Sequence, residues 1–312
     1  MFSPFGWPSA CAGPKSLNGA RPIVSFPSPK TVLHRLGLRP KKSLGQHFLL
    51  YPHQARRIVD ALELGPQEVV VEIGPGLGAL TVLLAEAAKE VLALEVDKAL
   101  IDYLRAELLP ACPRLRLLEM DVMQFDFLGA RRAAGQPLKV VGNLPYHITS
   151  PLLFKLMEEK AAFSLAVLMV QEEVGDRLLA KPGGKDYGIL SVMAQYHFRL
   201  RKLFSLGPAN FYPPPQVSSV VLRLEPVGPS PRAADESLFR QVVKIAFAQR
   251  RKTLKNTLAV QAAAFGLQPP DFLALLEEAG IDPGRRAETL SVSQFVELSN
   301  RIFEKRKQAE EG

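Results

Sequence analysis

Asn143, Leu144, Pro145 and Tyr146 follow the apolar run Val140-Val141 and Gly142, and these residue types at this spacing suit the grip of a flat amine. The Asn143 side-chain oxygen and the Leu144 carbonyl can each accept from an exocyclic NH2 group, while the Tyr146 ring lies against the ring system that carries it. Pro145 offers no backbone N–H and stiffens the turn. The same residues also suit a plain strand-to-helix turn in which Asn143 only caps the backbone.

Three further positions carry candidate chemistry. Val69 to Ile73 runs into Gly74-Pro75-Gly76-Leu77-Gly78 and out into a helix through Glu86, a pattern in which backbone approaches a nucleotide closely. This loop alone fits NAD as well as another adenosine ligand. The run Val91 to Val96 carries Glu95 near its end, where a carboxylate can accept from two ribose hydroxyls. Leu115 to Met120 ends in Asp121, a candidate acceptor for an adenine amino group. Gly74, Glu95, Asp121 and Asn143 thus stand at the ends of four successive segments that read as strands. In an open α/β sheet those ends share one rim, and ligands bind there.

The elements that must position these residues read as alternating strands and helices. Before the first glycine-rich turn, Lys41 to Leu49 is a basic approach to a helix over His53–Leu62. It is either a solvated arm or a lid whose Gln46, His47 and Leu49 close over a ligand. Beyond Asn143 the pattern predicts a strand over Ser164–Val170, a helix over Gln171–Leu179, and a strand pair around Ser191–Phe204 and Val217–Leu224. Phe211-Tyr212 and three prolines join that pair. Phe211 either tucks into the core or stands beside the Asn143 turn, where it could stack on an extruded base. Glu225–Pro231 reads as a linker. Helical periodicity then returns over Leu238–Ala248, Pro270–Ala279 and Val292–Phe303, with the densest basic cluster, Gln249 to Asn256, read as a solvated face or an RNA contact.

The 312 residues are 47% hydrophobic, enough for one sizeable core and a smaller second domain. A formal charge of +8 favours a polyanionic partner. Cys11 and Cys112 lie far apart and the five histidines are scattered, so a reducing compartment and no metal site are expected. Apolar runs stop far short of the roughly 20 residues that a membrane span needs. The first 28 residues lack periodicity and any acidic residue, which predicts a disordered basic extension; an organelle transit peptide is the alternative.

Taken together, SLGQHFL at 43–49, EIGPGLGALT at 72–81, LEVD at 94–97, NLPY at 143–146, YGILSV at 187–192, FYPPPQV at 211–217 and QRRKTLKN at 249–256 resemble the ribosomal RNA adenine N6-dimethyltransferases, most of all the bacterial enzymes acting on small-subunit RNA. The resemblance runs from about Pro29 to Phe303. It implies an α/β class I methyltransferase with a seven-stranded sheet over 29–226, a small helical RNA-contacting domain over 227–312, and S-adenosylmethionine as cofactor. By residue, it implies that His47 and Leu49 line the cofactor entrance, Gly74 lies against the cofactor, Glu95 holds its ribose, Asp121 its adenine, and Asn143 borders cofactor and target amine. Asn143, Leu144, Pro145, Tyr146 and Phe211 form the expected catalytic set. Position 47 is Asn in many members and His here. The implied activity is dimethylation of two adjacent adenosines near the 3′ end of small-subunit ribosomal RNA, by a cytoplasmic monomer acting on immature small subunits. Rival readings are a large-subunit RNA dimethyltransferase of the antibiotic-resistance type, an NAD-dependent oxidoreductase and a non-catalytic RNA-binding factor.

Overall fold

A computed structural model describes residues 28–145 and 148–311. The expected disordered extension therefore falls, Ser28 apart, outside the described residues, and so does Tyr146. Contacts divide the chain into two units, one of residues up to Gln171 with Leu203–Leu224, the other of Glu172–Lys202 with Glu225–Gly312. Residues 172–202, assigned from sequence to the methyltransferase domain, group with the C-terminal helices in this division.

The first unit opens with α1 (Pro29–Arg35), β1 (Phe48–Leu49) and α2 (Pro52–Asp60). A regular alternation follows: β2 (Val69–Ile73), α3 (Thr81–Ala87), β3 (Glu90–Glu95), α4 (Lys98–Tyr103), β4 (Leu115–Glu119), α5 (Phe127–Ala134), β5 (Leu138–Asn143), α6 (Thr149–Glu158) and β6 (Phe163–Gln171). The strand order is β4-β3-β2-β5-β6, and these five are parallel. Two more strands, β7 (Phe198–Leu206) and β9 (Ser219–Pro226), complete a seven-stranded sheet in which β9 runs antiparallel to β6. Between them β8 (Phe211–Tyr212) leaves to pair with β1. The fold is the expected α/β one, a seven-stranded and mostly parallel sheet.

The chain order reverses between β2 and β5. From β2 it proceeds outward through β3 and β4; from β5 it proceeds the other way through β6. Such a switch point opens a crevice at the carboxyl ends of the two central strands. Every residue of β2 is buried, so its sequence reads as an unbroken apolar run with one exception, Glu72.

Gly142 sets the spacing at this point. It lies opposite Ile73 in the register, and a Cβ placed on it would come 2.9 Å from both the Ile73 Cβ and the Ile73 carbonyl oxygen. Only glycine allows the end of β5 to approach β2 this closely. Gly74 follows with φ +68°, a left-handed turn that turns the chain at the end of β2 beside the Asn143 backbone.

The second unit holds α7 (Glu172–Leu179), α8 (Ile189–His197), α9 (Glu236–Ala246), α10 (Leu254–Thr257), α11 (Pro269–Glu278) and α12 (Val292–Glu311). Its apolar interior includes Tyr187, Phe247 and Phe295, with Phe247 packed against each of the other two rings. The structure corrects the strand expected over Ser191–Phe204. Residues 189–197 are helical, and strand begins only at Phe198. Val192, Met193, Ala194, Tyr196 and His197 are all buried, as is Ser191, which accepts from the Gly188 N–H at the helix start. A helix buried on nearly every side shows no 3.6-residue polar stripe, and its apolar run imitates a strand.

Substituting Gly142→Ala should lower stability by about 1–3 kcal/mol, because the added methyl must displace Ile73 or separate two central strands. Denaturant unfolding of the variant measures this.

Candidate functional site

The crevice at the switch point is a cavity of about 320 Å3. Gly74, Glu95, Asp121 and Asn143, each ending or following a different strand, all line it, and so do His47, Leu49 and Pro145. These residues come from positions up to 98 apart in the chain, and the strand order brings them together.

Asn143 is held in one orientation. Its Nδ2 donates to the His47 carbonyl oxygen at 2.9 Å. A carbonyl can only accept, so the amide cannot be flipped, and Oδ1 is the end left to accept from another group. Among the described residues Oδ1 has no partner. The turn behind it is fixed from two sides. Leu144 N donates to Met169 O at 3.0 Å, and the buried Thr149 hydroxyl donates to Pro145 O at 3.0 Å from the first turn of α6.

His47 in turn is anchored through its ring. Nδ1 lies 2.7 Å from Pro213 O, another acceptor-only atom, so the proton sits on Nδ1. The sequence singled out the side chain of His47; the atom that orients Asn143 is its backbone carbonyl, which carries no sequence signature.

Glu95 is 7% exposed and its carboxylate faces backbone N–H groups: Oε1 accepts from Val96 and Asp97 at 2.9 Å, and Oε2 from Gly76 at 3.3 Å. Burial pushes its carboxyl above the usual range, with the Asp97 charge adding, while the N–H groups of Asp97, Val96 and Gly76 oppose. The long Oε2 contact leaves that oxygen able to accept from a ligand hydroxyl. Asp121 is exposed, and its Oδ1 accepts from Met123 N at 2.9 Å at the head of a short turn.

Glu72 is the residue that sequence reasoning missed. It lines the cavity from the middle of β2, is 1% exposed, and its carboxyl is pushed up to about 8 by burial, with Thr81 opposing and Glu95 adding. The Thr81 hydroxyl favours the anion, yet neither Thr81 Oγ1 nor Glu72 Oε2 completes a hydrogen bond of good geometry among the described residues. The available signal was a lone carboxylate inside the all-apolar run 69–73.

Phe211 requires a correction. It is 2% exposed, packs in the main core with Leu49, and does not line the cavity. On the two-residue pair β1–β8 side chains alternate: Leu49 and Phe211 enter the main core, whereas Phe48 and Tyr212 meet Leu33 and Leu100 on the other side.

The chain matches the family described as ribosomal RNA adenine dimethylase over residues 37–304. The chain belongs to that family. A ribosomal RNA small subunit methyltransferase A from Bacillus mycoides is 43% identical over 278 residues, covering 88% of this chain and 95% of the relative. A relative of the same name from Bacillus anthracis is 43% identical over 277 residues, with 88% and 94% covered. Among solved structures, a dimethyladenosine transferase from Plasmodium falciparum superimposes with a TM-score of 0.71 at 26% identity, covering 84% of this chain and 98% of the other. The 23S rRNA methyltransferase ErmE gives 0.62 at 26% identity, with 82% and 99% covered. Membership in this family makes the chain a methyltransferase rather than an oxidoreductase.

Between about pH 4.5 and 8 folded Glu72 keeps a proton that the unfolded chain has lost, so wild-type stability falls as pH rises through that window. Glu72→Gln should remove a slope on the order of a few kcal/mol across it, read from denaturant midpoints at several pH values.

Proposed function

We propose that this chain transfers methyl groups from S-adenosylmethionine to the N6 atoms of two adjacent adenosines near the 3′ end of small-subunit ribosomal RNA. The observation that carries the reading is the fixed Asn143 amide, whose acceptor oxygen has no partner among the described residues and lies at a cavity lined by acidic groups. Two relatives of 43% identity named as small-subunit methyltransferases supply the choice of RNA.

The donor set fits the cofactor. Glu95 offers Oε2 to the ribose hydroxyls, and Asp121 offers an acceptor to the adenine amine. Glu72 Oε2, buried and without a partner among the described residues, suits a cationic or N–H-bearing group of the ligand. Glu95 and Asp121 would repel the pyrophosphate of a dinucleotide placed beside them, which disfavours NAD. When bound, S-adenosylmethionine supplies an electrophilic methyl on a sulfonium.

An adenine N6 is a weak nucleophile because its lone pair is delocalised into the ring. Asn143 Oδ1 accepts one N–H and the Leu144 carbonyl the other, which draws the nitrogen toward tetrahedral geometry and frees its lone pair. The His47 carbonyl keeps Oδ1 aimed throughout, so the rate gain comes from positioning and fixed dipoles. The nitrogen becomes acidic as it gains a methyl, and its proton passes to water without a strong base. In the second round one acceptor holds the single remaining N–H. The base must leave its stack, and Tyr146 rather than Phe211 supplies the replacement surface.

The basic cluster contributes only in part to RNA contact. Arg250 donates to the Lys185 and Tyr187 carbonyls at 2.7 and 3.1 Å and pairs with Glu288, so it serves the packing of its own unit. Arg251, Lys252 and Lys255 remain exposed to meet phosphates.

Labelled S-adenosylmethionine with small subunits lacking the modification, and large subunits as control, tests the reading. Dimethyladenosine in the small-subunit RNA supports it; label confined to the large subunit, or none, contradicts it. Asn143→Ala should reduce transfer by about 100-fold or more, measured as single-turnover methyl transfer at saturating cofactor.

A further inference from the structure

The wall of the cavity formed by the N-terminal arm is fastened by a residue that no part of the mechanism uses. Every residue from Leu44 to Leu49 lines the cavity. One end of this wall is tied down by Asn143, Pro213 and the β1–β8 pair. The other end is tied down by Asp97, which is 4% exposed.

Asp97 Oδ1 accepts from Lys41 Nζ at 2.7 Å, and Oδ2 from Gln46 Nε2 at 2.7 Å. Gln46 Oε1 accepts from the Lys41 N–H at 2.8 Å, which closes a circuit of three side chains around the turn 42–44. Burial works against the Asp97 charge, but Lys41, Gln46 and the Ala99 N–H outweigh it and hold the carboxyl below its usual range. The Asp97 N–H, in turn, donates to Glu95 Oε1 at 2.9 Å. The clasp on the arm and the carboxylate facing the cavity therefore share one turn of chain.

We propose that Asp97 is a positioning residue that holds the arm 41–49 closed as the cavity wall, and that through it the clasp sets how fast the cofactor leaves. The proposal rests on the reading of the cavity as a cofactor site. Asp97 also caps α4 through Ala99 N at 3.1 Å, so the alternative is a purely structural cap. Lys41 separates the two roles. Its side chain is half exposed, touches the clasp and has no part in the cap.

The test follows S-adenosylhomocysteine release by stopped flow, and amide exchange of residues 44–46 in the ligand-free protein, for wild type, Asp97→Asn, Lys41→Met and Lys41→Arg. The clasp predicts release about tenfold or more faster in Asp97→Asn, since the buried carboxylate that accepts from both Lys41 and Gln46 loses its charge. It also predicts a smaller acceleration in Lys41→Met, restoration in Lys41→Arg, and faster exchange at 44–46 in both weakened variants. Unchanged release in Lys41→Met, with Asp97→Asn altered only in melting temperature, overturns the proposal in favour of the cap. Failure of the wild type to bind S-adenosylhomocysteine would instead overturn the cofactor reading, and the exchange data would then decide the clasp alone: faster exchange at 44–46 in the variants supports it, and unchanged exchange overturns it.

Discussion

One hydrogen bond, from Asn143 Nδ2 to the His47 carbonyl, joins the two halves on which the site depends. On one side stands the end of β5, brought against β2 by the missing side chain of Gly142. On the other stands the arm, held by Asp97 at its first turn and by Pro213 at His47. The bond closes the cavity wall, and it also decides which end of the amide faces a substrate. Neither consequence survives without the other, because the same donor serves both.

The electrostatics of the cavity follow from its place in the sheet. Glu72 sits on a central strand and Glu95 at the end of its neighbour, and both are buried in the cavity lining. Burial raises both carboxyls, yet Glu95 recovers charge through three backbone N–H groups while Glu72 has no such help. The two acids thus differ in kind: one is an acceptor already hydrogen-bonded, the other a carboxyl raised to about 8 whose Oε2 has no partner among the described residues. A ligand carrying hydroxyls and positive charge satisfies both, which a phosphorylated one does not.

The ends of β2, β3 and β5 were legible because buried parallel strands read as largely apolar runs, and Gly74, Glu95 and Asn143 stand at their ends. The edge strand before Asp121 is mixed, Leu-Arg-Leu-Leu-Glu, and was legible from its place in the strand–helix alternation. Other features lacked such a signal. The helix 189–197 is buried on nearly all faces and shows no period, and Phe211 and Tyr212 sit on a strand too short for alternation to reveal which faces the core. Arg250 resembles its exposed neighbours in sequence, but its guanidinium is committed to carbonyls of a loop more than sixty residues away. The Lys41–Asp97 clasp spans a separation of 56 residues, and the His47 carbonyl is a backbone atom. Contacts of these kinds are set by topology, which composition and spacing do not encode.

The central claim is that Asn143 acts through a doubly used amide, with Nδ2 committed to His47 and Oδ1 offered to the target amine. Asn143→Asp separates these functions, since the carboxylate keeps an acceptor but loses the donor and faces a carbonyl oxygen. Single-turnover methyl transfer by this variant, with cofactor affinity measured on the same preparation, is the most direct measurement. The account predicts transfer reduced by about 100-fold or more, with the acceptor misplaced although present. Wild-type transfer in the aspartate variant would contradict it, because an acceptor alone would then suffice.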